Sequence, residues 1–244
     1  MEEAKTENKV AKTQVYNVVI LDRSGSMSSI RQAAVDGFNE TLAGIKKAQE
    51  KFAHTQEHFI SLVTFCSCET KNIFDRVPVK EARALKMEDY EPCCCTPLYD
   101  AMGFTFTAMR KYIRDLEDAI VIVTIITDGM ENDSKEYTEQ SIGRLVETLR
   151  GEGWTFTYMG ANQDSVEVAM KISIRNSRNF AYTGEGTRAS MRKDTRTRMS
   201  LFACLSQSKE EEVDGSRPTM DRGARHTYYA DMANKAFDEE ESED

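Results

Sequence analysis

Proline, histidine and long apolar runs are all scarce in this sequence. Its 244 residues include only 4 prolines, 13 glycines and 3 histidines. So few prolines and glycines argue against a low-complexity chain, and a hydrophobic content of 40% is enough for one core. The longest apolar run, residues 119–127, is too short to cross a bilayer. We therefore expect one folded domain that does not enter a membrane.

A basic surface is also missing. The formal net charge is −9, and residues 208–244 alone hold 12 acidic and 5 basic side chains, so the rest of the chain is close to neutral. The basic stretch 186–198 is expected to be the solvated face of a helix. Because nucleic-acid binding requires a basic face, we expect no nucleic-acid partner.

Histidine chemistry is not indicated. His54 and His58 are expected at the surface, and the sequence has neither a G-x-S-x-G nucleophile elbow nor a Ser-His-Asp order. The charged N-terminal stretch has no apolar segment of the kind found in signal peptides. We therefore expect a cytoplasmic protein with reduced thiols, and not an enzyme.

The hydrophobic pattern alternates between strands and helices, which predicts an α/β fold. The hairpin over 58–81 supplies one antiparallel edge strand, and the apolar run 119–127 is typical of a central parallel strand. We predict a doubly wound, mostly parallel sheet with helices on both faces. The predicted strands are 15–22, 58–66, 71–81, 119–127, 154–162 and 178–182; the predicted helices are 28–52, 97–117, 135–150, 164–173 and 186–206.

The chain divides into three parts by composition. Residues 1–13 form a polar lead-in, 14–207 the domain, and 208–244 an acidic, partly disordered tail. Within the tail, 226–237 contains aromatic and small apolar residues that could form a short docked helix.

Oxygen-bearing side chains follow the predicted strands at one edge of the sheet. Asp22, Ser24 and Ser26 lie in "LDRSGSM", the turn after the first strand; Thr96 precedes a helix; and Asp128 follows the central strand. Ligands bind at the carboxyl ends of strands in such sheets. Two carboxylates and three hydroxyls, without nitrogen or sulfur, suit a hard cation such as Mg²⁺ or Mn²⁺.

These residues resemble the metal-ion-dependent adhesion site of von Willebrand factor type A (VWA) domains, the integrin I-domain fold. The resemblance rests on "DRSGSM" (22–27), on the threonine of "TPLYDA" and on "TDGMEN" (127–132), and it covers about 14–207. Among VWA proteins, the sequence is most similar to stand-alone bacterial proteins of the tellurium-resistance type.

The resemblance implies a role for each site residue. Ser24 and Ser26 would ligate the metal directly, Thr96 and Asp128 would do so directly or through water, and Asp22 would hold waters and the serine hydroxyls. A partner protein's Asp or Glu would complete the coordination sphere. The implied function is metal-dependent protein binding.

Three alternatives stay open. The turn at Asp22 and Ser24 could simply cap a helix, and Asp128 could be an ordinary turn aspartate. A metal-dependent phosphatase or hydrolase is a second alternative, although no general base stands out. The third is a thiol-based metal or redox site, formed by Cys66, Cys68, Cys93, Cys94 and Cys95.

The acidic tail offers one more hypothesis. Its carboxylates could reach the metal of the same or a neighbouring molecule, because a tether of this length reaches far across a small domain. Self-association through the tail would follow.

Overall fold

The computed structural model describes residues 11–161 and 165–242, so the first ten residues of the predicted lead-in lie outside the described part of the chain. Strands and helices alternate as the sequence predicts. The strands are β1 (Thr13–Asp22), β2 (Gln56–Cys66), β3 (Glu69–Pro78), β4 (Ala119–Thr127), β5 (Thr155–Gly160) and β6 (Asn176–Asn179). The helices are α1 (Arg31–Lys51), α2 (Leu98–Ile113), α3 (Glu139–Gly151), α4 (Ser165–Lys171), α5 (Gly184–Asp214) and α6 (Arg222–Ser242).

The strands form a single mixed sheet. Within the described residues it has six strands, in the order β3-β2-β1-β4-β5-β6. β3 runs antiparallel to β2, and the other neighbouring strands are parallel. β1 and β4 are buried along almost their whole length, because helices cover both faces of a parallel sheet. The predicted fold class is confirmed.

Successive residues of the central strands point to opposite layers of helices. Val18 lies in a core with α2, α3 and α4, whereas Val19 packs with α1 and α5 on the other face. α6 closes the second face near the start of β1 and β4, where Tyr229 packs with Val15 and Ile120. Among the described residues, no helix is both long and apolar enough to cross a membrane.

The carboxyl ends of β1 and β4 lie side by side. Leu21 pairs with Ile126, so Asp22 and Thr127 end the two strands at the same level of the sheet. From β1 the chain continues to β2 on one side, while β4 lies on the other. This is a switch point of the strand order, where a crevice opens between the connections.

A buried ion pair lies between α5 and the sheet. Arg198 donates to Asp194 (Nε–Oδ2, 2.8 Å), to Asn17 (Nη1–Oδ1, 2.8 Å) and to Thr124 (Nη2–Oγ1, 2.5 Å). Arg198 is 2% exposed and Asp194 4%. The expectation that 186–198 is a solvated helix face is wrong for these two residues, because each side chain finds its partners beneath the helix.

α5 is longer than predicted and passes through residue 207, the predicted end of the domain. Its last turns are held in place by Lys209, whose buried amine lies 2.8 Å from Asp118 Oδ2. The helix ends at Gly215, which has a φ of 81°. Glycine adopts this left-handed conformation without steric cost.

α6 contains the stretch 226–237, which is a docked helix in the structure. Tyr229 and Phe237 are buried against the domain, and the Arg178 guanidinium lies 4.6 Å from the centre of the Phe237 ring. The described part of the predicted acidic tail is therefore largely helical, while the division of the chain into domain and tail stays a prediction.

Two local predictions are wrong. His58 is fully buried rather than at the surface, and its ring packs edge-on against Phe202 of α5 at 4.5 Å between centroids. α3 begins at Glu139 rather than at 135. The backbone N–H groups of 135–137 donate instead to the carboxylate of Asp100, which holds this segment as a loop.

Candidate metal site

The turn after β1 is organised around the Asp22 carboxylate. Its Oδ1 accepts a hydrogen bond from the Ser24 backbone N–H at 2.7 Å, and its Oδ2 accepts one from Thr127 Oγ1 at 2.6 Å. A short 3₁₀ helix, Gly25–Ile30, follows and leads into α1. Ser28, the first residue of the predicted helix 28–52, lies inside this short helix and donates to the Gly25 carbonyl. Asp22 thus shapes the turn and also joins it to the end of β4.

A chain of oxygen atoms connects the first strand to the central one. Ser24 Oγ lies 3.1 Å from Ser26 Oγ, and Ser26 Oγ donates to Asp128 Oδ1 at 2.7 Å. Asp22 and Ser24 are buried, Asp128 is half-buried and Ser26 is exposed. The site is therefore anchored in the protein at one side and open to solvent at the other.

Gly129 marks the point where the predicted site residues meet. A Cβ atom placed on Gly129 would lie 3.0 Å from Thr96 Oγ1, 3.6 Å from Asp22 Oδ2 and 3.7 Å from Ser26 Oγ. The structure thus brings together all of Asp22, Ser24, Ser26, Thr96 and Asp128. A side chain at 129 would intrude on this group of oxygens.

Two residues that were not predicted fix the position of Thr96. The backbone N–H of Thr96 donates to Asn132 Oδ1 at 2.8 Å, and the N–H of Asn132 donates back to the Thr96 carbonyl at 3.2 Å. Glu131 accepts from the N–H of Tyr99 at 2.9 Å, close to the start of α2. The sequence signal was the run of polar residues after Asp128, which is typical of a loop that makes its own side-chain hydrogen bonds.

Tyr90 is a third residue that was not predicted. It is fully buried, and its hydroxyl donates to the Asp22 carbonyl. Tyr90 lies in the loop before α2, so a residue that is distant in sequence holds the end of β1 in place through this hydrogen bond.

Burial raises the pKa of Asp22 to about 6, with a smaller contribution from the Asp128 charge. The hydrogen bonds from Thr127 and Ser24 act in the opposite direction. Asp128 Oδ2 is buried and, among the described residues, accepts no hydrogen bond of normal geometry. A buried carboxylate beside a half-buried one with an unsatisfied oxygen is an arrangement that a cation would stabilise.

The donor set fits a hard divalent cation. Carboxylates and hydroxyls are the protein ligands that Mg²⁺ and Mn²⁺ prefer, and Mg²⁺ usually keeps several waters. The five side chains offer oxygens only, and the open side at Ser26 leaves room for water or an outside ligand.

The comparisons with known proteins identify the fold. No protein-family profile matches the sequence, and a search of curated proteins finds no relative. Solved structures match well. The SpRpn10 VWA domain superposes with a TM-score of 0.50 at 10% identity, over 73% of this chain and 94% of that one. This chain has the VWA fold.

Two further structures have the same fold. The pilus adhesin SpaC of Lactobacillus rhamnosus GG matches with a TM-score of 0.57 at 12% identity, over 79% of this chain. This chain spans only 30% of the length of that adhesin. Proximal thread matrix protein 1 of the mussel byssus, with zinc in its metal-ion-dependent adhesion motif, matches with a TM-score of 0.50 at 12% identity. The match covers 77% of this chain and 46% of that one.

The rim of the site in this VWA fold carries large exposed side chains. Met130 follows Asp128 and Gly129 and is 62% exposed. Tyr182 is 44% exposed, and its hydroxyl donates to the Ser26 carbonyl. An apolar and an aromatic side chain beside an open ligand position are typical of a contact surface for another molecule.

The structure also brings the two cysteine clusters together beside this rim. Cys66 Sγ lies 3.1 Å from Cys93 Sγ, and Cys68 and Cys94 form a disulfide. The expectation of reduced thiols is therefore wrong for Cys68 and Cys94. Cys95 is exposed. The thiols thus lie next to the turn of the candidate metal site, although they contribute no atom to the oxygen cluster around Gly129.

Proposed function

We propose that this protein is a metal-dependent protein-interaction module and not an enzyme. The observation that carries this proposal is the convergence of five oxygen-bearing side chains around Gly129, at the carboxyl edge of the sheet. Their hard ligand set, the open side at Ser26 and the VWA fold all support it.

The proposed metal is Mg²⁺ or Mn²⁺. Ser24, Ser26 and Thr96 would hold it through their hydroxyls, with the Asp22 and Asp128 carboxylates beside them. A bound cation would offset the negative charge of these two carboxylates. The mussel protein's zinc-occupied motif supports a divalent cation in this position of the fold.

The proposed partner is a protein that presents an Asp or Glu side chain. Mg²⁺ takes an octahedral set of oxygen ligands and usually keeps several waters, so an outside carboxylate oxygen could replace a water on the open side of the site. Met130 and Tyr182 would contact the surface around that carboxylate. The near-neutral body gives no reason to propose a nucleic acid or a membrane instead. The adhesin SpaC shares the fold and supports a binding role.

Two finer assignments rest on the sequence alone. We propose that the protein belongs with the stand-alone bacterial VWA proteins of the tellurium-resistance type, on the basis of the motif resemblance. We also propose a cytoplasmic location.

Self-association through the acidic tail is a secondary proposal. In the structure Tyr229 of α6 lies beside Asp118, just before β4, with its hydroxyl 3.3 Å from Asp118 Oδ1. Thr127 and the candidate metal site lie at the far end of β4, roughly 30 Å from Asp118 at the usual rise of a strand. This part of α6 would have to leave its own domain before it could reach the metal site of the same molecule.

The first test is calorimetric titration of the protein with Mg²⁺ and Mn²⁺, without and with excess glutamate. We expect a cation to bind and glutamate to strengthen that binding. Asp128→Asn should abolish both effects, whereas Asp133→Asn, in the same loop and outside the oxygen cluster, should leave them unchanged. Absence of cation binding with and without glutamate would contradict the proposal.

A phosphatase assay with p-nitrophenyl phosphate and Mg²⁺ separates the module from the enzyme alternative. We expect no turnover above background. Turnover that Asp22→Asn removes would assign the site to phosphoryl transfer, and the binding proposal would then be wrong.

A further inference from the structure

The thiols beside the candidate metal site come from two segments that are far apart in the sequence. Cys66 ends β2 and Cys68 lies in the turn to β3, whereas Cys93 and Cys94 lie in the loop before α2. The sulfur atoms of Cys66, Cys68 and Cys93 all lie within 4.8 Å of one another. The disulfide brings the sulfur of Cys94 to the same place.

Backbone hydrogen bonds hold these two segments together independently of the sulfurs. The Ser67 N–H donates to the Cys95 carbonyl at 3.1 Å, and the Cys95 N–H donates to Ser67 Oγ at 3.0 Å. The Cys93 N–H donates to the Arg23 carbonyl at 2.8 Å. The convergence of the thiols is therefore built into the fold and would persist if the disulfide were opened.

The backbone of Cys94 explains how two consecutive cysteines reach one cluster. Neighbouring side chains in an extended segment point in opposite directions. Cys94 has a φ of 57°, in the left-handed region that residues other than glycine rarely adopt. This conformation turns its side chain to Cys68, while Cys93 faces Cys66.

The arrangement suits a soft metal ion. A tetrahedral zinc site with Zn–S bonds of about 2.3 Å has sulfur–sulfur separations of roughly 3.8 Å, and the thiol cluster is of this size. Cys66 is buried, Cys93 half-buried and Cys68 exposed. One ligand is therefore held inside the protein, and a metal ion can reach the site from solvent on the side of Cys68. The Arg23 guanidinium, 3.9 Å from Cys93 Sγ, would offset part of the thiolate charge.

We propose that the reduced protein binds one Zn²⁺ ion through Cys66, Cys68, Cys93 and Cys94, in a second site distinct from the oxygen site. Thiolates select soft ions, whereas the oxygen ligands of the first site select hard ones. Zinc binding releases the four thiol protons to solvent and forms four Zn–S bonds. The disulfide and the zinc site are alternatives, because the sulfurs of a disulfide are not thiolates.

The zinc site would act on the oxygen site through the loop that they share. Cys93 and Cys94 precede Thr96 by two or three residues, and the Gly25 N–H donates to the Cys94 carbonyl at 3.0 Å. A metal that fixes Cys94 therefore also fixes the backbone at Gly25, in the turn after β1, and the backbone that leads to Thr96.

The test is titration of the full chain with Co²⁺, after metal removal and reduction by a phosphine. The phosphine transfers two electrons to the disulfide and takes its oxygen from water, so two thiols form. We expect about one equivalent of Co²⁺ with sulfur-to-cobalt charge-transfer absorption and a tetrahedral visible spectrum, and displacement by Zn²⁺. Without the phosphine the absorption should be absent.

Three variants decide the assignment. Cys68→Ser with Cys93→Ser should abolish the charge-transfer absorption; neither residue is buried, so the fold should tolerate the changes. Cys204→Ser, an exposed cysteine of α5, should keep the absorption, and so should Ser24→Ala, which alters only the oxygen site. The proposal is wrong if the reduced protein shows no thiolate absorption, or if the double variant keeps it. The Ser24→Ala variant tests the two sites separately, because Ser24 belongs to the oxygen site of the proposed function and the thiolate absorption reports only on the thiol site.

Discussion

Asp22 is a buried carboxylate whose ionised form has little compensation from the protein itself. It is fully buried, its pKa is raised to about 6 by burial, and its two hydrogen-bond donors offset that rise only in part. An opposite charge within a few ångströms favours the ionised form of a carboxyl group. A cation bound beside Asp22 and Asp128 would therefore favour the ionised form of Asp22 and stabilise this turn.

Ser24→Ala should weaken Mg²⁺ binding by about tenfold or more. The change removes a buried hydroxyl that lies 3.1 Å from Ser26 Oγ. Ser28→Ala is the matched control, because Ser28 lies in the short helix that follows Ser24 and donates to the Gly25 carbonyl, away from the oxygen cluster. Isothermal calorimetry measures both affinities. Equal affinities in the two variants would contradict the assignment of Ser24 as a ligand.

His58 should make the protein less stable in mild acid. Burial lowers its pKa to about 3 from an ordinary value of 6.5. Below pH 6.5 the unfolded chain therefore binds a proton that the folded chain does not. The stability that neutral His58 provides is complete above that pH and declines by about 1.4 kcal/mol per pH unit as the pH falls toward 3.

The measurement is urea unfolding at about pH 7.5 and pH 5.5, followed by circular dichroism. His58→Gln should reduce the loss of unfolding free energy between these two pH values by about 1 kcal/mol relative to the wild type. His54→Gln, which changes an exposed histidine, should leave the loss as it is. A wild-type-like loss in His58→Gln would show that other groups cause the acid sensitivity.

At the scale of elements, α6 packs against α5 and the central strands. Its buried side chains are Tyr229, Ala233, Ala236 and Phe237. Its start is tied to the segment before β4, where the Arg222 guanidinium donates to the Arg114 carbonyl at 2.7 Å. The acidic composition of the tail does not reveal this apolar face, because Asp231, Asp238 and Glu239 lie on the exposed side of the same helix.

Tyr229→Ala should lower the free energy of unfolding by about 3 kcal/mol, the usual cost of removing a buried aromatic ring. Tyr228→Ala should cost about 1 kcal/mol, because that ring is only half-buried and stacks against the Arg217 guanidinium. Chemical denaturation of both variants, followed by circular dichroism, tests the difference. Equal and small losses would mean that α6 does not pack on the domain in solution.

At the scale of the whole molecule, the fold places the two proposed metal sites at one edge of the sheet. The oxygen cluster lies between β1 and β4, and the thiol cluster lies beside it at the end of β2. A metal that binds a folded chain and has no site in the unfolded chain adds to the free energy of unfolding.

Mg²⁺ should therefore raise the melting temperature. At about 100 times the dissociation constant the gain is roughly 2.7 kcal/mol, which corresponds to about 5–10 °C for a chain of this size. Thermal unfolding with Mg²⁺ and with EDTA measures the shift. Asp128→Asn should show none, and a shift of the same size in that variant would place the stabilising cation elsewhere.

The sequence alone was enough to predict the fold class and to select the residues of the candidate site. Strand and helix periodicity are local properties, and Asp22, Ser24, Ser26, Thr96 and Asp128 each follow a strand or precede a helix that the pattern marks. A parallel sheet then brings the strand ends to one edge whatever the details of packing. The sequence did not reveal that Tyr90, Glu131 and Asn132 hold the site residues and their loops in place through hydrogen bonds.

Tertiary structure decided which polar residues are buried. Arg198 and Asp194 form a buried pair beneath α5, His58 lies against Phe202, and the described part of the acidic tail docks as α6. Nothing in a local pattern distinguishes a charged side chain in water from one with a buried partner, because the partner comes from a distant segment. A joint site of the two cysteine clusters was an open alternative from the sequence, and the packing of β2 beside the loop before α2 decided that they meet.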